Sequence, residues 1–530
     1  MSESFPGLPK PERVVAKPKD ASAVVLFRRR GTGFGAGVEV FWLRRDKGLR
    51  FAGGFYAFPG GKVDRADADV PVEGATGTDA ALIAAAAREL FEETGVLMAA
   101  GAERLPQSEL DALRRTLLDR SPETKASRAG FRQMLSERGL TLRAVDFQSA
   151  GRWVTPPFLP VRFDARFFLV EAPPASHAEV WPGELVDGEW ITPTAAIARW
   201  EAGTALLHPP NLHALRVMAG FGSGDGEVPR ALEELRNPPH CPDFVATRIE
   251  FQRGVHLYPL ETDTLPPATH TNCLVLGNGE LLIVDPGTDE ARELDRLCAE
   301  LDGLVAEGRT LKAVLLTHHH ADHSGGALAL KKRLGLPLWA HARTADRLPP
   351  GSVDRLLEDD EVLHLSATQK VKPGMSWRVL HTPGHARGHV CLVDELSRAA
   401  VVGDMVAGVG TIVIDPPEGD MAEYLAQLER LRDLPVSTLY PAHGAAIPDG
   451  VAKLEEYLRH RRAREELVLK AVPTSGEGAT LSEIVAVAYA DTPPFIHPVA
   501  ERSAEASLIK LEREGRVRRV GDRWILDARP

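Results

Sequence analysis

Residues 313–323 read AVLLTHHHADH, an apolar run followed at once by four potential metal ligands. The apolar run AVLL predicts a buried β-strand, and the residues after it place His318, His320, Asp322 and His323 on one tight loop. Imidazole and carboxylate groups are ligands that zinc accepts in proteins. Side chains at positions i and i+2 can converge on one ion, while Asp322 and His323 serve a neighbouring ion. The stretch therefore predicts a metal site at the end of a strand.

Three further candidate ligands lie downstream, each at or after the end of an apolar strand and beside glycine or proline turns. They are His385 in HTPGHARGH, Asp404 in VVGDM and His443 in YPAHG. Two ions need about seven ligands when one carboxylate bridges them, and the candidates supply that number. Clustered His and Asp residues at strand ends have no packing rationale, which favours a metal centre. His381 and His389 lie nearby but outside the pattern, and an ordinary structural role is preferred for them.

The order HxHxDH followed by His, Asp and His resembles the metallo-β-lactamase superfamily over about residues 250–448. The resemblance implies two zinc ions, one held by His318, His320 and His385, the other by Asp322, His323 and His443, with Asp404 as the bridge. Asp285, in LLIVDPG, matches the family's structural aspartate and is expected to orient a ligand loop. Asp404 stands where class B β-lactamases typically carry cysteine, which argues against a genuine β-lactamase.

The expected chemistry follows from the paired ions. A water shared by two zinc ions is acidified toward neutral pH and becomes a bridging hydroxide nucleophile, while the ions polarise the bond under attack. No side-chain nucleophile is required, and Asp322 is assigned a catalytic as well as a ligand role. The expected reaction is cleavage of a phosphodiester, a thioester or a related ester.

Two resemblances leave the substrate open. The region from residue 381 to the C-terminus resembles lactamase-B-like endoribonucleases, which cut single-stranded RNA and carry a winged-helix tail, whereas the ligand set is shared with hydroxyacylglutathione hydrolases. Local positive charge in the tail could contact phosphates, and a solvated helix face with interspersed glutamates explains it equally well. The tail arginines are Arg459, Arg461, Arg462, Arg464, Arg513, Arg516, Arg518, Arg519 and Arg523.

The N-terminal half carries a second motif, AFPGGKVDRAD followed by AAAARELFEETGVL. Glu89, Glu92 and Glu93 lie at positions i, i+3 and i+4 of a predicted helix and therefore share one face. Such carboxylates repel one another unless they bind a hard cation, and Mg²⁺ or Mn²⁺ suits oxygen ligands that bridge to phosphates. Arg88 is expected to support the junction between the loop and this helix.

The motif resembles the Nudix hydrolase box, and residues 20–220 resemble the peroxisomal coenzyme A diphosphatase type. The resemblance implies that Glu89, Glu92 and Glu93 bind metal, that Glu92 and Glu93 are catalytic, and that Gly61, Arg88 and Gly95 support the site. Between Gly61 and Arg88 lie 26 residues where the usual box has 13, and Ala80, beside Asp79, occupies the place of the box's loop glutamate. The half is expected to cleave a nucleoside-diphosphate-linked, coenzyme A-like compound, or to be a non-catalytic module that binds such a ligand.

These observations predict an α/β and α+β multidomain protein. The expected order is a flexible tail (1–20), a Nudix α/β/α sandwich (21–222), a linker (223–248), a metallo-β-lactamase αββα sandwich (249–448) and a helical, winged-helix-like domain (449–530). The linker is inferred from the mixture of glycine, proline and charge in FGSGDGEVPRALEELRNPPHCPDFV.

Composition limits the remaining choices. The formal net charge of -11 argues against a protein that coats nucleic acid or a membrane surface, and the four cysteines form no CxxC pair. A reducing cytoplasm is therefore the expected compartment. No apolar run is long enough to span a bilayer, so no membrane partner is expected. The expected partners are small molecules with an ester, thioester, nucleotide or coenzyme A moiety, with single-stranded RNA as the alternative.

Overall fold

The computed structural model describes residues 15–30, 37–49, 52–119, 130–159, 161–174, 176–222, 226–474 and 476–527. Most of the predicted flexible tail lies outside these residues, although the first strand already begins at Lys19. Two further sequence patterns lie partly outside them: RRRGTGFGAG (28–37), which predicts a turn between two strands, and residues 104–145, which predict helices. A boundary after Arg253 divides the described residues into two compact units.

The N-terminal unit contains ten strands and six α-helices among its described residues. Its strands are β1 (Lys19–Arg30), β2 (Gly37–Arg45), β3 (Tyr56–Ala57), β4 (Gly60–Lys62), β5 (Val72–Glu73), β6 (Leu142–Arg143), β7 (Gln148–Val154), β8 (Phe163–Glu171), β9 (Leu185–Ile191) and β10 (Ile249–Gln252). Its helices are α1 (Gly77–Thr94), α2 (Gln107–Leu118), α3 (Gly130–Glu137), α4 (Pro193–Glu201), α5 (Pro209–Ala219) and α6 (Glu227–Arg236).

Strand β1 is the centre of the main sheet, whose order is β3-β2-β1-β8-β7 with β4 added to β1 and β9 to β2. The pairing of β1 with β2 is antiparallel, whereas β1 and β8 run parallel. Because side chains alternate along a strand, Val24 and Leu26 face a core that includes α1, while Val25 and Phe27 face one that includes α4, α5 and α6. The unit is therefore a three-layer α/β/α arrangement.

The stretch predicted as a linker contains α6, which packs into the N-terminal unit. Ala231, Leu232 and Leu235 are buried in the same core as α5. These positions recur at helical spacing within EVPRALEELR, so one face of the helix is apolar. The glycines and prolines on either side of the helix hide this pattern when the region is judged by composition.

The C-terminal unit begins with two sheets. The strands of the first sheet are β11 (Val255–Glu261), β12 (His270–Leu276), β13 (Glu280–Val284), β14 (Thr310–Leu315), β15 (Leu338–His341) and β16 (Arg355–Leu357). The strands of the second are β17 (Val362–Leu365), β18 (Met375–His381), β19 (Val390–Asp394), β20 (Ala399–Gly403) and β21 (Thr438–Pro441). The helices beside them are α7 (Ala291–Ala306), α8 (Ala321–Ser324), α9 (Ala327–Leu334), α10 (Ala342–Ala345) and α11 (Met421–Arg432).

Each of these two sheets is buried on both faces. One face of the first sheet packs against α7 and α9, and one face of the second packs against α11. Side chains of the opposite faces, such as Leu274 and Leu282 in one sheet and Val379 and Leu392 in the other, are also fully buried. Burial of both faces is what an αββα sandwich requires. The candidate zinc ligands follow β14, β18, β20 and β21. The sequence predicts one tight loop after β14, but only His318 and His320 lie on a loop there, while Asp322 and His323 lie on the short helix α8.

The C-terminal region consists of a long helix and a small winged-helix arrangement. Its elements are α12 (Gly450–Ala471), β22 (Ala479–Thr480), α13 (Leu481–Ala488), α14 (His497–Arg513), β23 (Val517–Val520) and β24 (Arg523–Leu526). Strands β23 and β24 pair as an antiparallel hairpin across Gly521 and Asp522. Val468, Leu508 and Trp524 form a core with the surrounding helices. Across the described residues, the helices are too short or too polar to cross a membrane.

The packing of α6 gives the first testable prediction. Replacing buried Leu235 with Ala should lower the free energy of unfolding of the N-terminal unit by about 2–5 kcal/mol, because the substitution removes buried methyl groups and leaves a cavity. Urea denaturation measures this change, with Glu233→Ala on the exposed face of the same helix as the control. Equal stability of the two variants would mean that this stretch is a linker after all.

Candidate metal centres

His318, His320 and His385 bring their ring nitrogens together at the end of β14. His320 Nδ1 lies 3.0 Å from Nε2 of His318 and 3.0 Å from Nε2 of His385. The three ligand atoms lie within 4.8 Å of one another, as do those of His318, His323 and Asp404 and those of Asp322, His323 and His443. The resemblance assigns the same three residues to one ion. Three imidazole nitrogens at this spacing suit a single zinc ion.

Asp322, His323, Asp404 and His443 form the adjoining half of the cluster. His443 Nε2 lies 3.5 Å from a carboxylate oxygen of Asp322 and 3.5 Å from Oδ1 of Asp404. The second oxygen of Asp404, Oδ2, lies 3.5 Å from His385 Nε2. Asp404 thus faces both halves of the cluster through different oxygens, which is the geometry that a bridging carboxylate needs. We call these seven residues the His/Asp cluster.

Two atoms of the His/Asp cluster test whether a metal fits. His323 Nε2 and Asp404 Oδ1 are both buried, and neither has a hydrogen-bond partner within the described part of the chain. They lie 3.6 Å apart, which is longer than a hydrogen bond. Buried polar atoms without partners are costly, and a bound cation would satisfy both. The donor set therefore fits a pair of divalent metal ions.

The electrostatics of the His/Asp cluster favour the ligating protonation states of His318, His320 and Asp404. At His323 burial, which lowers the pKa, is outweighed by the carboxylates of Asp404, Asp322 and Asp285, which raise it well above the usual range, so a bound metal ion would displace a proton there. Burial lowers the pKa of His318 and of His320 well below the usual range, and neighbouring imidazoles act in the same direction, so both rings are neutral. Burial alone would raise the pKa of Asp404, but His443 and His323 hold it well below its usual range. Neutral imidazoles and ionised carboxylates are the forms that bind metal.

A set of hydrogen bonds behind the ligands fixes their orientation. Asp285 accepts hydrogen bonds from the backbone N–H of Thr317 at 2.7 Å and from its hydroxyl at 2.6 Å, and a carboxylate oxygen lies 2.8 Å from His323 Nδ1. These contacts place Asp285 where the sequence expects it, behind the ligand loop. His385 Nδ1 donates to the carbonyl oxygen of Val413 at 2.8 Å, which leaves Nε2 free for a metal.

His389 has a closer connection to the cluster than its sequence position indicates. It is fully buried, and its Nε2 accepts a hydrogen bond from the backbone N–H of Asp404 at 3.1 Å. His381, in contrast, stacks on His341 with ring centroids 4.0 Å apart and bonds to the carbonyl oxygen of Arg387. Of the two histidines, only His389 supports a candidate ligand directly.

A second cluster of charged residues lies in the N-terminal unit, on α1. Arg88 donates from Nε and Nη2 to the two carboxylate oxygens of Asp67, at 2.8 and 2.9 Å, and from Nη1 to Glu89 at 2.8 Å. The backbone N–H of Gly60 donates to Glu93 at 2.8 Å. Together with Glu92, which is 3.5 Å from Arg88, these carboxylates form one compact group.

Asp67 is the residue that counting backward from Arg88 misses. The backward count reaches Ala80, which is buried in the apolar core beside α1 and has no carboxylate. Counting forward from Gly61 leaves five residues before Asp67, the spacing that the box requires, so the extra residues lie between Asp67 and Arg88. Asp67 is almost completely buried at 1% exposure and occupies the position of the missing loop carboxylate.

Two glycines shape this second cluster, as their places in the motif predict. Gly95 ends α1 with a φ of 77°, a left-handed conformation that favours glycine. A side chain at Gly61 would meet the carboxylate of Glu89 at 2.4 Å, so only glycine leaves room for that carboxylate. Gly61 therefore allows β4 to approach the acidic face of α1.

The three glutamates of α1 have raised pKa values. Burial raises the pKa of Glu92 to about 7 against the lowering effect of Arg88, and burial with the charge of Glu89 raises that of Glu93 to about 8. The pKa of Glu89 is also raised by burial. Crowded, buried carboxylates of this kind are stabilised in their ionised form by a divalent cation.

Most of the tail arginines are engaged in ion pairs. The pairs are Arg462 with Glu429, Arg464 with Asp491, Arg513 with Asp420, Arg516 with Glu466, Arg519 with Glu505 and Arg523 with Glu483. Residues 449–530 contain fourteen Lys and Arg residues and fourteen Asp and Glu residues. The tail therefore has no net positive charge with which to attract phosphates, which favours the interpretation as a solvated, salt-bridged surface.

Comparison with known proteins defines the class of the chain. A family model for the metallo-β-lactamase superfamily matches residues 266–443, and a model for the β-lactamase-associated winged helix domain matches residues 480–524. The β-lactamase-like protein 2 homolog of Drosophila melanogaster is 31% identical over 253 residues, covering 47% of this chain and 84% of that protein. The chain belongs to the metallo-β-lactamase superfamily. It is a hydrolase of that superfamily with an associated winged-helix domain.

Two further similarities concern the two units separately. An atrochrysone carboxyl ACP thioesterase of Passalora fulva is 33% identical over 273 residues, covering 48% of this chain and 76% of that protein. The crystal structure of a Nudix hydrolase from Alicyclobacillus acidocaldarius is 27% identical with a TM-score of 0.35, covering 43% of this chain and all of that chain. A TM-score this low does not define the fold of the N-terminal unit.

The raised pKa values of Glu92 and Glu93 predict how stability depends on pH. In metal-free protein the folded state keeps protons that the unfolded state, with glutamate pKa values near 4.5, has released. The stabilisation is present below about pH 4.5 and is lost as the pH rises through 7 to 8. The free energy of unfolding of the N-terminal unit should therefore fall by roughly 1–3 kcal/mol between about pH 5 and pH 9 in the presence of EDTA.

Urea denaturation at both pH values measures this loss. Glu93→Gln is the control, because its amide can still accept the hydrogen bond from Gly60 but cannot release a proton, so its loss should be smaller. If both proteins lost the same stability, Glu93 would not be the titrating group.

Proposed function

We propose that the C-terminal unit is a dinuclear zinc hydrolase that cleaves thioesters. The main support is the His/Asp cluster, in which seven ligand side chains converge and Asp404 faces both halves through different oxygens. The choice of thioester over phosphodiester is supported by the thioesterase among the relatives. When bound, two zinc ions would polarise the thioester carbonyl and lower the pKa of the attacking water.

The side chains of the His/Asp cluster have two roles, as metal ligands and as a proton acceptor. His318, His320 and His385 provide three ring nitrogens, and the hydrogen bond from His385 Nδ1 to Val413 keeps its Nε2 directed at the site. Asp322 is the more open of the two cluster carboxylates, with its side chain 18% exposed against 11% for Asp404. We assign Asp322 the role of accepting the proton that the attacking water loses, because it can exchange that proton with solvent.

The proposal favours small thioesters over single-stranded RNA. The pairing of the tail arginines and the equal numbers of acidic and basic residues in 449–530 leave little attraction for a phosphate backbone. We place the protein in the cytoplasm, because its four cysteines are free and a thioester of coenzyme A or glutathione is a cytoplasmic substrate class.

A screen of the zinc-loaded protein tests this function. Acyl-coenzyme A and acylglutathione should be hydrolysed, whereas a chromogenic phosphodiester and single-stranded RNA should be hydrolysed at least tenfold more slowly. A thiol reagent follows release of the free thiol. Faster cleavage of the phosphodiester or of RNA would overturn the assignment of substrate class while leaving the metal centre in place.

Asp404→Ala should abolish the reaction. Removing the bridging carboxylate should lower kcat/KM for the thioester at least about 100-fold and reduce the zinc content from two ions to one or none. Elemental analysis and thiol release measure the two effects. Asp394→Ala, a buried carboxylate on β19 outside the cluster, is the control and should keep both ions. Unchanged turnover in Asp404→Ala would contradict the mechanism.

For the N-terminal unit we propose a Nudix diphosphatase that uses Mg²⁺ or Mn²⁺. The observation that favours it is the group formed by Asp67, Arg88 and the three glutamates of α1, with Glu89, Glu92 and Glu93 as ligands and Glu92 and Glu93 as the catalytic pair. When bound, the cation would neutralise the crowded carboxylates and bridge them to a diphosphate. Arg88 holds Asp67 and Glu89 in position from both sides.

The double variant Glu92→Gln, Glu93→Gln separates an enzyme from a binding module. Hydrolysis of coenzyme A or ADP-ribose by the parent with Mg²⁺ should fall at least about 100-fold in the variant, while thioester turnover at the zinc site stays unchanged. Chromatography of the nucleotide products measures the first activity. If calorimetry showed that the parent protein binds these compounds, and they were not cleaved, the unit would be a non-catalytic binding module.

A further inference from the structure

The segment 411–415 lies outside helices and strands, yet it holds a ligand of the His/Asp cluster. The carbonyl oxygen of Val413 accepts the hydrogen bond from His385 Nδ1 at 2.8 Å, and no second acceptor for that nitrogen occurs among the described residues. The orientation of the His385 ring therefore depends on where this one carbonyl group is placed. A segment without secondary structure cannot place it unaided, so the contacts on either side of Val413 are decisive.

Both neighbours of Val413 are fixed by the C-terminal helices. The carbonyl oxygen of Ile412 accepts a hydrogen bond from Nη2 of Arg461, which lies on α12. The backbone N–H of Ile414 donates to Oγ of Ser503, on α14, at 3.1 Å. Three consecutive residues thus have a fixed backbone group: Ile412 bonds to α12, Val413 to His385 and Ile414 to α14.

Arg461 occupies a position that stability alone does not explain. Its side chain is only 8% exposed, and within residues 254–474 and 476–527 it forms no ion pair with a carboxylate. A buried cation without a carboxylate partner is destabilising unless other groups compensate. Its guanidinium lies 5.3 Å from the ring centroid of Tyr424, whose hydroxyl donates to the carbonyl oxygen of Met405, next to Asp404. The guanidinium therefore contacts segment 411–415 and Tyr424, which both adjoin candidate metal ligands, while its Nε has no hydrogen-bond partner among the described residues.

Tyr457 adds a second connection from α12. The backbone N–H of Ala407 donates to the hydroxyl of Tyr457 at 2.9 Å, and both residues are buried. The chain from Asp404 to Ile414 is therefore tied to α12 at two places, four residues apart on the helix, and to α14 at a third. Residues one turn apart lie on the same helix face.

We propose that Arg461 and Ser503 are positioning residues for the metal centre, through which α12 and the winged-helix domain orient His385. The role of the tail is then to orient a candidate metal ligand and not to bind a nucleic acid. The inference rests on the proposed zinc function, because it concerns the orientation of a zinc ligand.

Two substitutions test the inference, each with a matched control on the same helix. Arg461→Met removes the guanidinium but keeps an apolar chain in the buried site, and Arg464→Met is its control because Arg464 also donates to a backbone carbonyl, that of Ala488, away from the cluster. Ser503→Ala is matched by Ser507→Ala, since Ser507 is equally buried one turn along α14 and bonds only within the helix. Arg461→Lys tests rescue by a conserved charge.

Zinc affinity, measured by competition with a chelator, is the first readout. It should be about tenfold weaker in Arg461→Met and in Ser503→Ala, the size of effect typical of groups that orient metal ligands, and unchanged in both controls. Arg461→Lys should recover part of the loss. Thermal denaturation verifies that each variant is folded.

Hydrogen exchange of metal-free protein is the second readout and does not depend on zinc. The amide of Ile414 should exchange at least tenfold faster in Ser503→Ala than in the parent, and segment 411–415 should exchange faster in Arg461→Met. Parent-like affinity and exchange in both test variants, or equal losses in the controls, would overturn the inference. If the parent bound no zinc, the proposed function would fail instead, and the exchange data would still report whether the helices hold the segment.

Discussion

The structure of the C-terminal unit depends on the convergence of seven imidazole and carboxylate side chains in one buried space. His323 Nε2 and Asp404 Oδ1 lie there without hydrogen-bond partners among the described residues, and burial keeps His318 and His320 neutral. Such a group is costly in an empty interior and favourable around cations. The strands β14, β18, β20 and β21 end close to one another, so the short loops and the helix α8 that follow them carry every candidate ligand.

The ligands are oriented by groups behind them. Asp285 holds both the loop after β14 and the ring of His323, and His389 accepts the backbone N–H of Asp404. The carbonyl oxygen of Val413 fixes His385 and is itself held between α12 and α14. In the N-terminal unit Arg88 has the equivalent task, because it joins Asp67 to the acidic face of α1. Positioning of this kind is what keeps a metal site within the narrow limits that catalysis requires.

Much of the candidate site could be predicted because its ligands are either close together in the sequence or directly follow apolar strands. His318 to His323 lie within six residues, and His385, Asp404 and His443 follow apolar strands. The contacts of Val413 could not be predicted, because they are made by its backbone carbonyl group, which every residue has. Asp67 is hidden for a different reason: an insertion separates it from α1 in the sequence, so the spacing back from Arg88 reaches Ala80 instead. The helix containing Leu235 was hidden by flanking glycine and proline, which outweigh a short amphipathic pattern when composition alone is judged.

The central claim is that the His/Asp cluster holds two metal ions with Asp404 between them. Anomalous diffraction from crystals of zinc-loaded protein, recorded on both sides of the zinc absorption edge, tests it most directly. We expect two peaks about 3.5–4 Å apart, one beside His318, His320 and His385 and the other beside Asp322, His323 and His443. A single peak that leaves Asp404 unbound, or no peak within the cluster, would contradict it.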